Sequence, residues 1–296
     1  MVWTFVKTTL LIGILTGLFF VVAYLLGLDP ISAIILAALM NFAIYLFSDR
    51  LVLRMGGAKL VSEQEAPRVY AALHRLSAST GMAMPKVALV NSPIPNAFAT
   101  GRSPNNSTVA VHTGLLSMVN DEELEGVLAH ELSHVRNWDT LTMTIAATVA
   151  GAIAYAAQMG LFFGGAYGYS GGSTGRNNQQ GNIIGLLFML VLAPLAATLV
   201  RLAVSRTREL AADESGAKLS GKPLALASAL EKIDYYAKNR RPTKNTNPAL
   251  SSLYIINPLR GTGISQLFST HPPTAKRIAR LHEIAASMGY GSYYTA

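Results

Sequence analysis

Four long stretches carry no charged residue at all: residues 8–28, 31–47, 141–163 and 183–200, of 21, 17, 23 and 18 residues. An uncharged apolar run of about 17–25 residues is what a helix needs to cross a bilayer. The 296-residue chain fits that reading, because only 14% of it is charged and 51% is hydrophobic, against about 25% charged in ordinary soluble domains. The first two stretches are separated only by Asp29 and Pro30, which implies a helical hairpin. A signal peptide is the alternative for the first stretch, since Lys7 precedes it. Its length exceeds the roughly 7–15 apolar residues of such signals, and a second run follows at once. For the later two stretches the alternative is a buried core helix, given Pro194 and several small residues.

Basic residues set the expected orientation. Arg50, Arg54 and Lys59 follow the second stretch, and Arg201, Arg206 and Arg208 follow the fourth, whereas the loop 164–182 carries only Arg176. Lys and Arg concentrate on the cytoplasmic side, so both termini and residues 48–140 and 201–296 are expected in the cytoplasm. The expected organisation is a transmembrane hairpin (1–47), a first catalytic half (48–140), a second transmembrane pair (141–200) and a second catalytic half (201–296). The formal charge of +8 is explained by those flanks, and no Lys/Arg-rich run or basic-aromatic stripe suggests nucleic acid. With no cysteine in the chain, disulfides, iron–sulfur clusters and thiolate zinc sites are excluded, so any metal must be held by His, Asp or Glu.

In the soluble part, residues 62–80 read as a helix with Ser62 as N-cap, Glu65 three residues on and Gly81 at the stop. Three β-prone runs follow, 86–90, 97–100 and 108–111, predicting a small sheet with one of them at its edge. Asn120 precedes Asp121, Glu122 and Glu123, the cap and acidic first turn of a helix running through Arg136 towards the third apolar stretch. Helices are expected over 201–220, 223–238 and 272–287, with 239–270 as a long loop.

The chemistry lies inside the Asn120-capped helix, in His130-Glu131-Leu132-Ser133-His134. Residues i and i+4 share a helical face, so both imidazoles can reach one ion, with Glu131 beside them as general base. This is the H-E-x-x-H pattern of zinc hydrolases. A third ligand must come from elsewhere. Glu209 and Asp213, also i and i+4, supply it: Glu209 to zinc, and Asp213 accepting a hydrogen bond from a ligating histidine. The alternative is a solvated charged face paired with Arg206 and Arg208. His134 stands seven residues before the third stretch and Glu209 nine after the fourth, so both ligands sit at comparable height, roughly 10–14 Å, off one membrane face.

These residues resemble the integral-membrane gluzincin proteases, which include the HtpX-like heat-shock proteases and the CAAX prenyl endopeptidases. The likeness rests on the N-terminal hairpin, Asn96-Ala97-Phe98-Ala99-Thr100-Gly101, Thr113-Gly114-Leu115-Leu116, the His130 motif with Asn137 and Asp139 after it, Glu209 with Asp213, and Phe268-Ser269-Thr270-His271-Pro272-Pro273. Size and four spans place it nearest the HtpX-like branch. The resemblance implies a mostly α, integral-membrane protein: four transmembrane helices and a cytoplasmic α+β gluzincin-type metalloprotease domain with a small sheet. It implies one Zn2+ per chain and zinc-dependent cleavage of misfolded or damaged membrane proteins at the cytoplasmic face of the cell membrane. Asn96, Ala97, Phe98 and Ala99 would lie on an edge strand to which substrate adds by main-chain hydrogen bonds, and His271 would help hold the oxyanion, or simply cap the helix that follows. His112 stands where the family pattern has a small residue. Arg102 is read either as steering an acidic group or as a solvated loop residue, and His74 and His282 as surface residues. The competing readings are a CAAX-type prenyl protease and a non-proteolytic metal-binding membrane protein. The latter would carry ionisable residues along its spans, and these have none.

Overall fold

The computed structural model describes residues 2–25, 27–150, 206–239, 253, 255 and 272–290. The fourth apolar stretch, most of the third, most of the 239–270 loop and His271 lie outside these residues. The described part is mostly helical with a small mixed sheet.

Two helices, α1 (Val2–Leu25) and α2 (Pro30–Met55), form the expected hairpin. Asp29 caps α2 by accepting from the Ile31 and Ser32 amides, with Pro30 at the first helical position, where a missing N–H costs nothing. Among the described residues α2 is the helix long and apolar enough to cross a membrane. It keeps Ile31, Ile34, Ile35, Leu39, Phe42 and Phe47 exposed, a surface suited to lipid. Polar side chains stitch the bundle: Asn41 Nδ2 donates to Thr16 Oγ1 at 2.7 Å, and Thr8 and Thr142 share a 2.6 Å hydrogen bond. Without a hydrophobic drive between helices in lipid, such bonds and close packing do the joining.

Strand β1 (Ala58–Leu60) follows, then α3 (Pro67–Thr80). The helix starts five residues later than the expected 62. Glu65 does bond back to Ser62, through both its amide and hydroxyl at 2.7 Å. But this closes an isolated turn, because Pro67 drives Ala66 out of the helical region, to φ −137°, ψ 55°. Strands β2 (Lys86–Val90), β3 (Ala97–Ser103) and β4 (Asn106–His112) build a sheet of order β1-β2-β4-β3, with β2 and β4 parallel and the other pairs antiparallel. Thus β3 is indeed an edge strand, longer than the sequence suggested. Gly101, at φ 146°, sits at its bulge, where a Cβ would strike the Asn106 carbonyl.

The short helix α4 (Thr113–Met118) leads to α5 (Asp121–Arg136), whose Asn120–Glu123 capping box is complete. The chain breaks at 137–138 and resumes as α6, helical over 139–150. Beyond lie α7 (Arg206–Ser220), α8 (Pro223–Asn239) and α9 (Thr274–Ser287).

The sheet is buried on both faces. Val87, Ala97, Ala99, Val109 and Val111 pack with α3, α5, α8 and α9. Their alternates Ala88, Val90, Phe98 and Ala110 pack with Leu11 and Leu15 of α1, Val52 of α2, and Met143, Ile145 and Ala146 of α6. Period-two alternation therefore separates two apolar clusters rather than core from water.

Candidate metal centre and active site

Glu131 and both histidines occupy the C-terminal half of α5, and Glu209 comes from α7 packed against it. One ligand atom from each of His130, His134 and Glu209 lies within 4.8 Å of the others. His134 Nε2 is 3.3 Å from Glu209 Oε1 and His130 Nε2 is 3.8 Å from Oε2. Tetrahedral ligands at about 2.1 Å from one ion stand about 3.4 Å apart, so the three converge at metal-binding spacing. The two rings meet edge to face at 89°, centroids 4.8 Å apart.

The opposite ring nitrogens are each met by a carboxylate. His130 Nδ1 lies 2.9 Å from Asp213 Oδ1, a close contact off the line of an ideal hydrogen bond. His134 Nδ1 lies 3.2 Å from Asp139 Oδ2. With Nδ1 facing a carboxylate, the proton resides there and Nε2 keeps its lone pair for a metal.

Residues 63–285 match peptidase family M48. The chain is 50% identical over 286 residues to the protease HtpX homolog of Pyrococcus furiosus, covering 96% of this chain and 97% of that one. The chain belongs to peptidase family M48. The HtpX homolog of Sulfurihydrogenibium sp. is 45% identical over 293 residues, covering 96% and 98%. The crystal structure of S. mikatae Ste24p aligns at 19% identity and TM-score 0.49, covering 91% of this chain and 62% of that one. This M48 peptidase is a membrane metalloprotease acting on polypeptides, and its His130, His134 and Glu209 are spaced as a group able to hold a metal ion.

Burial shapes the charges of the M48 centre. Glu131 is pushed up to about 8 by burial, with Glu209 nearby adding to the rise. Burial pushes the His134 imidazole down, but the charges of Glu209 and Asp139 outweigh it and hold it at about 10. Burial alone would raise Asp213, yet the Arg277 guanidinium brings it below the usual carboxylate range. Glu131, Glu209, Asp213 and Asp139 are four buried carboxylates, faced by two guanidiniums, Arg277 and Arg208. In the metal-free centre Glu131 and His134, both raised, hold protons near neutral pH; once those two protons leave, two negative charges stand uncompensated, which a divalent cation cancels. The donor set thus fits a dication in charge as well as spacing.

Arg277 of α9 was not foreseen. It is buried at 1% exposure, clasps Asp213 through Nε and Nη2 at 2.7 Å each, and donates Nη1 to the Ile255 carbonyl. Its signal was available: Arg277, Leu281 and Ile284 are spaced i, i+4, i+7, which puts a charge on the apolar stripe of α9. The sequence marks Asp139 only as part of a motif, and Arg208 only as a flanking charge or an ion-pair partner of the Glu209/Asp213 face.

The strand residues Asn96, Ala97, Phe98 and Ala99 run beside the site but are at most 4% exposed. The Ala99 N–H donates to Glu131 Oε2 at 2.9 Å, and Asn96 Oδ1 accepts from the Ile255 N–H at 3.0 Å. Phe98 points to the other face, into the cluster with α1 and α6. His112 is buried against the Ile94 carbonyl, and burial pushes it down to about 4. Arg102 lies over the Tyr45 ring of α2, 5.7 Å from its centroid. His74 and His282 are exposed, as expected.

Proposed function

We propose that this M48 peptidase is a zinc-dependent endopeptidase that degrades misfolded or damaged membrane proteins at the cytoplasmic face of the cell membrane. The observation that carries this reading is the convergence of the two Nε2 atoms with Glu209 while Glu131, next in sequence to His130, faces the β3 edge. One Zn2+ held by His130, His134 and Glu209 would supply a Lewis acid for the scissile carbonyl and bring water's pKa to about 7. Zinc is favoured over harder ions by the paired imidazoles.

Glu131 is the general base: its carboxylate takes the proton of the attacking water and returns it to the leaving amine. Asp213 holds His130 in the ligating tautomer. His271 donates to the oxyanion that develops at the scissile carbonyl. Asn96 to Ala99 align the substrate as an added strand. Because Ala99 already donates to Glu131, binding there uses the strand's carbonyl oxygens and the amides at its Asn96 end. Glu131→Gln keeps the volume and the ligands but removes the base. It is expected to bind zinc as wild type does while losing hydrolysis of a fluorogenic unfolded protein by 10²-fold or more. Near-normal turnover by that variant refutes the assignment.

The four-span topology, with both termini and residues 48–140 and 201–296 cytoplasmic, belongs to the same proposal. The absence of native cysteine makes its test clean. Ser173→Cys is expected to label from outside intact cells, and Ser62→Cys only after permeabilisation. The reverse pattern overturns the orientation.

A further inference from the structure

Helix α5 ends two residues after its last ligand, and the way it ends is unusual. Trp138 adopts φ 62°, the one positive φ at a non-glycine among the described residues. A bulky side chain there is a genuine outlier, and such outliers persist where the surroundings over-determine them. The consequence is local. Asp139 is five residues beyond His134, and on an unbroken helix five residues amount to about 140° of rotation, well off the His134 face. The left-handed turn folds the chain back, so that Asp139 Oδ2 comes within 3.2 Å of His134 Nδ1. Asp139 is 2% exposed, and its other oxygen accepts Arg208 Nη1 at 3.0 Å.

Resting on the reading of His134 as a metal ligand, we infer that Asp139 and Arg208 form a positioning clamp for it, held by the strained turn at Trp138. Asp139 fixes the His134 tautomer and ring orientation, as Asp213 does for His130. Arg208, next in sequence to the ligand Glu209, fixes Asp139. The clamp also joins two distant chain positions. Asp139 stands two residues before the apolar stretch 141–163, and Arg208 eight residues after the stretch 183–200. The second imidazole is therefore aligned only when the chain entering that apolar pair meets the chain leaving it. The third ligand sits on the leaving arm, so site completion and docking of the two arms are one event.

The test uses the full chain purified in detergent under chelation, then titrated with Co2+ against a competing chelator, with affinity and visible spectrum followed together. Asp139→Ala is expected to lower Co2+ affinity 10- to 100-fold, the usual loss on removing a group that orients a ligand, and to alter the tetrahedral d–d bands. Asp139→Asn, which still accepts the Nδ1 proton, restores most of the affinity. Arg208→Ala loses affinity in the same direction but by less. Trp138→Gly, suited to a left-handed turn, keeps the wild-type affinity and spectrum. Asp139→Ala and Asp139→Asn both binding as wild type would overturn the clamp. So would equal loss in metal-free thermal stability for all variants without any change in affinity. If Asp139→Ala does not fold, Asp139→Asn and Arg208→Ala decide: unchanged affinity in Arg208→Ala refutes the clamp. Failure of the wild type itself to take up Co2+ would instead refute the metal-centre reading, a separate outcome.

Discussion

Gly216 offers a quantitative test of how tightly the two ligand-bearing helices must pack. It lies seven residues beyond Glu209 and three beyond Asp213, on the face of α7 that meets α5. A Cβ built there would stand 2.8 Å from the His130 nitrogen, 2.9 Å from its Cα and 3.1 Å from the Ala129 carbonyl carbon. All three are backbone atoms of a helix and cannot swing aside. Restoring an ordinary 3.4 Å contact requires α7 to retreat by about 0.6 Å. Metal–ligand distances tolerate only about 0.2 Å, and Glu209 rides on the same helix two turns away. Overpacking of this kind costs about 1–3 kcal/mol, of which alanine's better helix propensity recovers about 1. Gly216→Ala is thus expected to fold, with metal-free stability within about 2 kcal/mol of wild type. Its zinc affinity should fall at least tenfold, equivalent to about 1.4 kcal/mol. Chelator competition reads the affinity and thermal unfolding under chelation reads the fold. Gly126→Ala is the control: its Cβ would press on Leu226 at 3.0–3.2 Å, on the α8 side of α5, so it costs stability but spares the metal. Wild-type zinc affinity in Gly216→Ala would refute the argument that this close approach sets the position of Glu209.

Other outcomes follow from the same geometry. Arg277→Ala strands the buried Asp213 charge, and removing one partner of a buried pair costs about 3–5 kcal/mol; urea or thermal unfolding should show it, with Arg277→Lys recovering only part. In the metal-free protein Glu131 is raised from 4.5 to about 8 and His134 from 6.5 to about 10. Above about 6.5 the folded state then holds more protons than the unfolded one, so stability should fall as pH rises from about 6.5 to about 10, whereas below that window His112, held near 4, acts in the opposite direction. Thermal scans under chelation check this, and Glu131→Gln should make the fall below about 8 shallower, leaving the His134 part. Asn120→Ala removes the α5 capping box and should cost about 1 kcal/mol, a Tm drop of about 2–4 °C, without changing zinc affinity.

Much of the site was readable because helical spacing is a local rule. His130 with His134, and Glu209 with Asp213, each needed only four residues of sequence, and the shared demand for a metal joined them. Asn120 announced its helix equally well. What escaped depended on other elements or on a broken rule. The start of α3 turned on Pro67 acting on Ala66, a neighbour effect that outranked a good capping pair. Strand β1 is three residues long and is defined only by pairing with β2. Asp139 could not be placed under His134 because helical periodicity forbids it, and only the left-handed Trp138 permits it. Arg277 reached Asp213 from a segment 64 residues away, although its position on an apolar stripe was a visible anomaly. Strands β2 and β4 were recognisable as apolar runs. That their second face meets α1, α2 and α6 rather than water was not, since burial on both sides erases alternation.

That second face sets a ruler. On β3, Phe98 is wedged among Leu11, Leu15 and the residues of α6, while the amide of the very next residue grips the Glu131 carboxylate. Neighbouring strand residues are about 3.3 Å apart, and the sheet between them is packed solid, so neither can move without the other. The distance from the apolar helices to the Glu131 carboxylate is therefore a constant of the fold rather than an average over a tether.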